Sequence, residues 1–380
     1  MTSDHRPPSI SGVAAFVLEN SLLLIAGTVA ALVWANVDHD SYSRVAKGLH
    51  FAVNDVAMVF FFALATKEIV EATLPGGALA SRRQAAVPVL AALGGMLIPA
   101  ASYALQAHLL GRPEIVRGWA IPCATDIAFS YMAARAIFPR GHAAIPFLLL
   151  LAIADDAVGL VMLALAYPTG PVSGVPLVVL MAAALTIAWW LRRRRVQSFW
   201  IYVLVPGALS WAALYWSGVH PALALVPVVP FMPHAARDLG VFDPREDSLP
   251  DTMNRFEHAW KTPVQIILFF FGLANAGVAL SRVGPPTWMV LSSLVVGKPI
   301  GIVGSVLLAS AAGLHVPGRL TLRDTLVVGI AAGIGFTVAL FFATAAFEPG
   351  PVLDEAKMGA LLSFLAAPLA IGVARASARR

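Results

Sequence analysis

The chain has 380 residues, 59% of them apolar and only 12% charged, with a net charge of +5 and one cysteine. The charged share is about half that of soluble domains, which excludes a water-soluble globular protein and points to a polytopic membrane protein. No polybasic tail or basic-aromatic cluster suggests nucleic acid, and a lone thiol, Cys123, permits no internal disulfide.

Residues 1–11 are polar and contain Pro7 and Pro8. The apolar run that follows is full length, so it reads as a first membrane span rather than a cleaved signal. A span needs roughly 20 apolar residues. On that rule the chain holds twelve candidates: Gly12–Ala35, Phe51–Val70, Ala85–Leu109, Trp119–Phe138, Ala143–Ala166, Val175–Leu191, Phe199–Trp216, a short Val219–Met232, Val264–Leu280, Pro286–Leu308, Leu322–Ala346 and Lys357–Ala374. The expected fold class is all-α and polytopic, with one transmembrane domain over residues 1–380.

Loop arginines and lysines set the orientation. One side collects seventeen of the 26, including Arg82, Arg83, the Arg192–Arg195 run and Arg323; the other collects six, namely Arg44, Lys47, Arg112, Arg117, Arg282 and Lys357. Both termini, residues 1–11 and 375–380, and the solvated loop 233–253 are therefore expected in the cytoplasm.

Several spans carry residues that are costly in lipid. Span 2 opens on Asn54-Asp55, where Asp55 suits a helix cap. Near its other end, Glu68 could line a cation-gathering funnel or be neutralised by Lys67. Span 4 reads WAIPCATDIAFSYMAARAIF. Pro122 removes a backbone donor, and Thr125 and Asp126 follow within a turn. Freed backbone groups survive in a membrane only where protein or water satisfies them, and Asp126 is placed to do so.

Span 5 reads LLLLAIADDAVGLVMLAL from Leu148, with two carboxylates at its middle. A charge there costs about 3 kcal/mol on insertion scales, so intramembrane acids usually mark ion or proton paths. Neighbours on a helix point about 100° apart, so Asp155 and Asp156 serve different faces: one reaches a cavity and the other needs a partner. Lys298 lies about twelve residues into span 10, too deep to reach a surface, and is the candidate partner. His220 opens span 8, and Glu257 stands beside His258 where span 9 begins. Either histidine reads as a structural group or as a pH sensor.

Span 11 carries Gly329, Gly333 and Gly335 and then Thr337. Spans 4 and 11 hold matching places in the triplets 3–5 and 10–12, which an inverted repeat would produce. Two broken helices crossing would bring like dipole ends together. Asp126 would offset the positive ends and Lys298 the negative ones. No phosphate loop, metal-ligand cluster or hydrolase triad is present, so transport would draw on an ion gradient and no bound cofactor is expected.

Taken together, WAIPCATDIAF from Trp119, Ala154-Asp155-Asp156, Ser217-Gly218-Val219-His220, Ala274-Asn275-Ala276-Gly277-Val278, Gly297-Lys298-Pro299 and Gly333-Ile334-Gly335-Phe336-Thr337 resemble the NhaA-type sodium/proton antiporter family. The link between broken helices and a mid-membrane transport site was itself drawn in part from that family. The resemblance implies twelve spans, with spans 4 and 11 unwound and crossing. It also implies electrogenic, pH-regulated exchange of cytoplasmic Na⁺ or Li⁺ for external protons in a bacterial inner membrane. By position, Asp156 matches the main cation-binding carboxylate and Asp155 the acid paired with the span-10 lysine. Thr125 and Asp126 match the crossing, and Glu68, Glu257 and His220 the pH response; Asn54-Asp55 match the start of span 2. The expected partners are the transported Na⁺ or Li⁺, protons and lipid.

Two departures stand out. The family's β-hairpin for dimerisation would fall at Val37–His50, which is short, charged and without strand pattern, so a homodimer would need another contact. Basic residues usually follow the span-2 glutamate, whereas here Lys67 precedes Glu68 and Glu71 follows.

Two other classes compete with exchange. A sodium-coupled solute symporter would need a larger polar substrate pocket. An intramembrane aspartyl protease needs its acids on separate helices, which adjacent Asp155 and Asp156 do not supply.

Overall fold

The computed structural model describes residues 22–234, 251–314, 316 and 320–378. The N-terminus, the start of the first expected span, most of loop 233–253 and the last two residues lie outside the described residues.

The described chain is helical. Helix α1 is Leu22–Val37 and α2 is His39–His50. A π-helical turn, Phe51–Ala57, runs α2 straight into α3, Met58–Thr73. Helix α4 is Arg82–Leu109, followed by a 3₁₀ segment, Pro113–Cys123, and by α5, Ile127–Ile137. Then come α6 (Ala144–Ala166), α7 (Gly174–Arg193), α8 (Phe199–Tyr202) and α9 (Ala208–Ser217). After the undescribed loop come α10 (Thr252–Asn275), α11 (Pro285–Ser292), α12 (Lys298–Ala311), α13 (Leu322–Ala332), α14 (Phe336–Ala346), α15 (Pro351–Leu362) and α16 (Ala366–Ala378). Among the described residues, seven helices are long and apolar enough to cross a membrane, or eight if the pair α13 and α14, bent by 50°, is one span.

The segment before span 2, expected to carry no strand, is a helix, with Asp38 accepting from Ser41 N at 3.0 Å as its N-cap. Three expectations change. Asp55 lies inside the π-helical turn and so caps no helix end. The eighth expected span, Val219–Met232, is a buried run of short turns with two 3₁₀ pieces, Pro221–Leu223 and Val229–Phe231; its prolines 221, 227 and 230 remove the donors a regular ladder needs. The ninth expected span, α10, begins twelve residues before Val264 and ends at Asn275, where Ala276 leaves the helix. Its polar first turns lie beyond the reach of a hydropathy criterion.

Prolines also explain the local slips. The π-helical turn Ser293–Gly297 closes just before Lys298-Pro299, and Lys298 N donates to Ser293 O, one residue past the α-helical acceptor. Pro299 has no N–H to continue the ladder. Without a hydrophobic force between lipid-bathed helices, association depends on close packing at small residues. Helices α4 and α12 meet at Gly94 and Gly301, where a Cβ on either would strike the other's carbonyl oxygen. Helices α1 and α10 also approach closely, where a Cβ on Gly27 would strike Phe269 O and one on Gly272 would strike Leu24 O.

Candidate functional site

The core of the molecule is a pair of interruptions. Between Cys123 and α5 the chain is extended, with Ala124 at φ −73° and ψ 149°. Between α13 and α14 it turns through Gly333–Gly335. The two breaks cross: Asp126 N donates to Ile334 O at 2.7 Å, and a Cβ on Gly335 would lie 3.2 Å from Ala124 O. Glycine permits that approach.

Asp126 caps α5 by accepting from Phe129 N at 3.4 Å. Its other oxygen accepts from Thr337 N at 3.2 Å and from the Thr337 hydroxyl, in the first turn of α14. One carboxylate therefore faces two helix N-termini, whose partial positive charges favour an anion. Ser130 adds a hydroxyl donor to Ala331 O at 2.9 Å, near the end of α13.

Lys298 lies at the opposite pole of the crossing. It is fully buried, and its Nζ stands 3.0 Å from Asp155 Oδ2 and 2.5 Å from Cys123 O, the last carbonyl of the 3₁₀ segment. A cation there offsets a helix C-terminus. The Thr125 hydroxyl lies 2.7 Å from the same Asp155 oxygen and 3.2 Å from Ala332 O. Asp155 Oδ1 is buried with no hydrogen-bond partner. The lysine thus chooses Asp155 rather than Asp156.

Asp156 points elsewhere. It is only half-buried and lines a cavity of about 260 Å³ together with Glu68, Asp126, Thr337, Glu257 and Lys261. It also borders a small cavity of about 20 Å³ shared with Asp155 and Cys123. Lys67 does not neutralise Glu68, as the sequence allowed. It is buried and bridges Glu71, one turn on, to Glu257 of α10 at 2.6 Å. Glu68 is left facing the cavity.

Asp55 and His220 line a second cavity, of about 1,430 Å³, with His220 Nδ1 3.9 Å from Asp55 Oδ1. Helix α10 relates the two cavities: Glu257 near its start lines the first and Asn275 at its end the second. Its 24 residues are about 36 Å long, so the cavities lie against opposite ends of this helix.

Sequence reasoning gave Thr337 no site role, though a threonine just after a glycine break is an N-terminal capping signal. It also missed the reciprocal amide pair between Asn54 and Asn275, at 3.0 and 2.9 Å, which ties the π-helical turn to the end of α10.

Comparisons with known proteins agree with this picture. The family model described as Na⁺/H⁺ antiporter 1 matches residues 17–374. A protein named Na⁺/H⁺ antiporter NhaA from Jannaschia sp. (strain CCS1) is 44% identical, covering 95% of this chain and 96% of its own length. A protein of the same name from Geobacter sulfurreducens is 45% identical over 94% of this chain and 96% of that one. A solved sodium proton antiporter from Methanocaldococcus jannaschii shares the fold, with a TM-score of 0.56, 15% identity and coverage of 96% and 95%. This multi-pass membrane chain belongs to the Na⁺/H⁺ antiporter 1 family, whose members are transporters and not enzymes.

Proposed function

We propose that the chain is an electrogenic, pH-regulated antiporter that exports Na⁺ or Li⁺ in exchange for external protons. The observation that carries this reading is Asp156. It is the accessible member of the aspartate pair, and it lines a cavity whose other carboxylates are Glu68, Asp126 and Glu257. A concave site walled by acids raises the local concentration of cations. Carboxylate oxygens suit a small hard cation, and the same oxygens bind a proton. A site that holds one or the other in turn couples the two fluxes. Asp155 and Lys298 supply a second group that can release a proton, so each cycle moves net charge.

The broken elements, 113–123 with α5 and α13 with α14, serve as spans 4 and 11 of a twelve-span fold with inverted repeats. The arginine asymmetry puts both termini, and the mouth at Glu68 and Glu257, in the cytoplasm of a bacterial cell. Glu68, Glu257, His220 and Asp55 then line the two approaches and set the response to pH. The test is collapse of an imposed pH gradient in membrane vesicles on adding Na⁺ or Li⁺ with no organic solute present. A symporter would show none.

A further inference from the structure

Helix α10 presents one face to the acidic cavity. Glu257, Lys261 and Gln265 recur every fourth residue on that face, and all three line the 260 Å³ space. At 1.5 Å per residue, Gln265 lies about 12 Å further along the helix than Glu257. It shares the space with Asp156, Asp126 and Thr337. Its carbonyl oxygen, Oε1, is buried, and no group among the described residues donates to it. Asp126, by contrast, accepts from Phe129 N, Thr337 N and the Thr337 hydroxyl. A buried acceptor with no donor is costly to leave unmade. The surrounding carboxylates cannot help, because an ionised carboxylate only accepts. What such a set of oxygens lacks is a cation.

We propose that Gln265 supplies a neutral oxygen ligand to the cation held at Asp156, and so favours Na⁺ or Li⁺ over the proton in their competition for that carboxylate. Amide carbonyls are regular ligands of hard cations. The charged and titratable groups that line the cavity are Lys67, Glu68, Asp126, Asp156, Glu257 and Lys261. Unlike them, an amide neither gains nor loses a proton as the pH changes. It strengthens cation binding and adds nothing to proton binding. The terminal torsion of a glutamine is soft, so the oxygen turns toward an arriving ion at little cost. The selectivity claim rests on the antiport reading, whereas the ligand claim does not.

Titration calorimetry of Na⁺ and Li⁺ binding to the purified full-length protein, over a range of pH, tests this without transport. When cation and proton compete, the apparent dissociation constant rises linearly with proton concentration. The intercept gives the affinity for the cation, and the ratio of intercept to slope gives the affinity for the proton. Gln265→Leu is expected to raise the intercept about tenfold, the size of one lost contact to a charged group, while the ratio changes far less. Gln265→Glu keeps an oxygen in place, so its intercept is expected to stay at or below the wild-type value, while its added titrating group alters the proton dependence. That variant also covers a Gln265→Leu protein that fails to fold. A folded Gln265→Leu protein with the wild-type intercept overturns the proposal. So does one whose ratio moves as far as its intercept, which is the mark of a distorted site, or a Gln265→Glu protein whose intercept rises tenfold. Wild-type protein that binds neither ion overturns both the ligand and the antiport reading. Binding without Na⁺-driven exchange in vesicles would strike at the antiport reading alone and leave Gln265 as a ligand.

Discussion

The Lys298 ammonium stands 3.0 Å from the Asp155 carboxylate, with the two side chains 0% and 1% exposed. Taking either ion out of water costs several kcal/mol, and their mutual attraction offsets that cost only while both are present. Lys298→Ala leaves a buried carboxylate with Thr125 as its remaining side-chain donor. That variant is expected to lose about 3–5 kcal/mol of stability, read as a lower unfolding midpoint. Asp155→Asn combined with Lys298→Met is expected to recover most of the loss. A double variant as unstable as Lys298→Ala alone would show that the pair is not the source.

The same pair carries the charge argument. If Lys298 releases a proton in each cycle, Lys298→Ala exchanges fewer charges, and its transport rate responds less to a clamped membrane potential than the wild type does. Equal responses would remove Lys298 from charge movement.

Asp126 and Thr337 hold the crossing from the other pole. Thr337→Val deletes a hydroxyl donor to a carboxylate, worth about 1.5–3 kcal/mol for a bond to a charged group. Thr337→Ser keeps the donor and is expected to stay near the wild-type melting temperature. If serine destabilises and valine does not, the methyl group matters and the hydrogen bond does not.

Competition for one carboxylate has a definite sign. Lowering the pH at the loading face raises the Na⁺ concentration needed for half-maximal exchange and leaves the rate at saturating Na⁺ unchanged. Initial rates over a grid of pH and Na⁺ test this. A maximal rate that falls while half-saturation stays fixed would place the proton elsewhere.

Lys67 holds positive charge at the mouth of the acidic cavity, bridging Glu71 and Glu257. Lys67→Gln makes the cavity more negative. Loading at sub-saturating Na⁺ is expected to rise in dilute buffer, and the gain to fade near 0.1 M salt, where the Debye length is about 10 Å. A gain that ignores ionic strength would point to a change in shape.

Much of this arrangement is legible in residue order alone. Paired aspartates, a deep lysine and a proline-interrupted span are expensive in lipid, so each stands out against an apolar background. The motifs around Asp126, Asp156 and Lys298 also carry a family resemblance. Harder to read were features fixed by partners distant in sequence. Lys298 on α12 meets Asp155 on α6 across 143 residues of sequence, and Gly94 and Gly301, which let α12 pack closely on α4, are farther apart still in the chain. Lys67 passes over adjacent Glu68 because Glu71 shares its helix face one turn on and α10 presents Glu257. The irregular run at Val219–Met232 is apolar enough to read as a span, and only its prolines warn that the backbone departs from a helix.

The account turns on Asp156 exchanging a proton for an alkali cation. The most direct measurement is Na⁺-induced collapse of a pH gradient in vesicles carrying wild-type protein or Asp156→Asn, with folding checked by melting temperature. The account predicts collapse with the wild type and none with a folded Asp156→Asn protein. Wild-type exchange in that variant would contradict it.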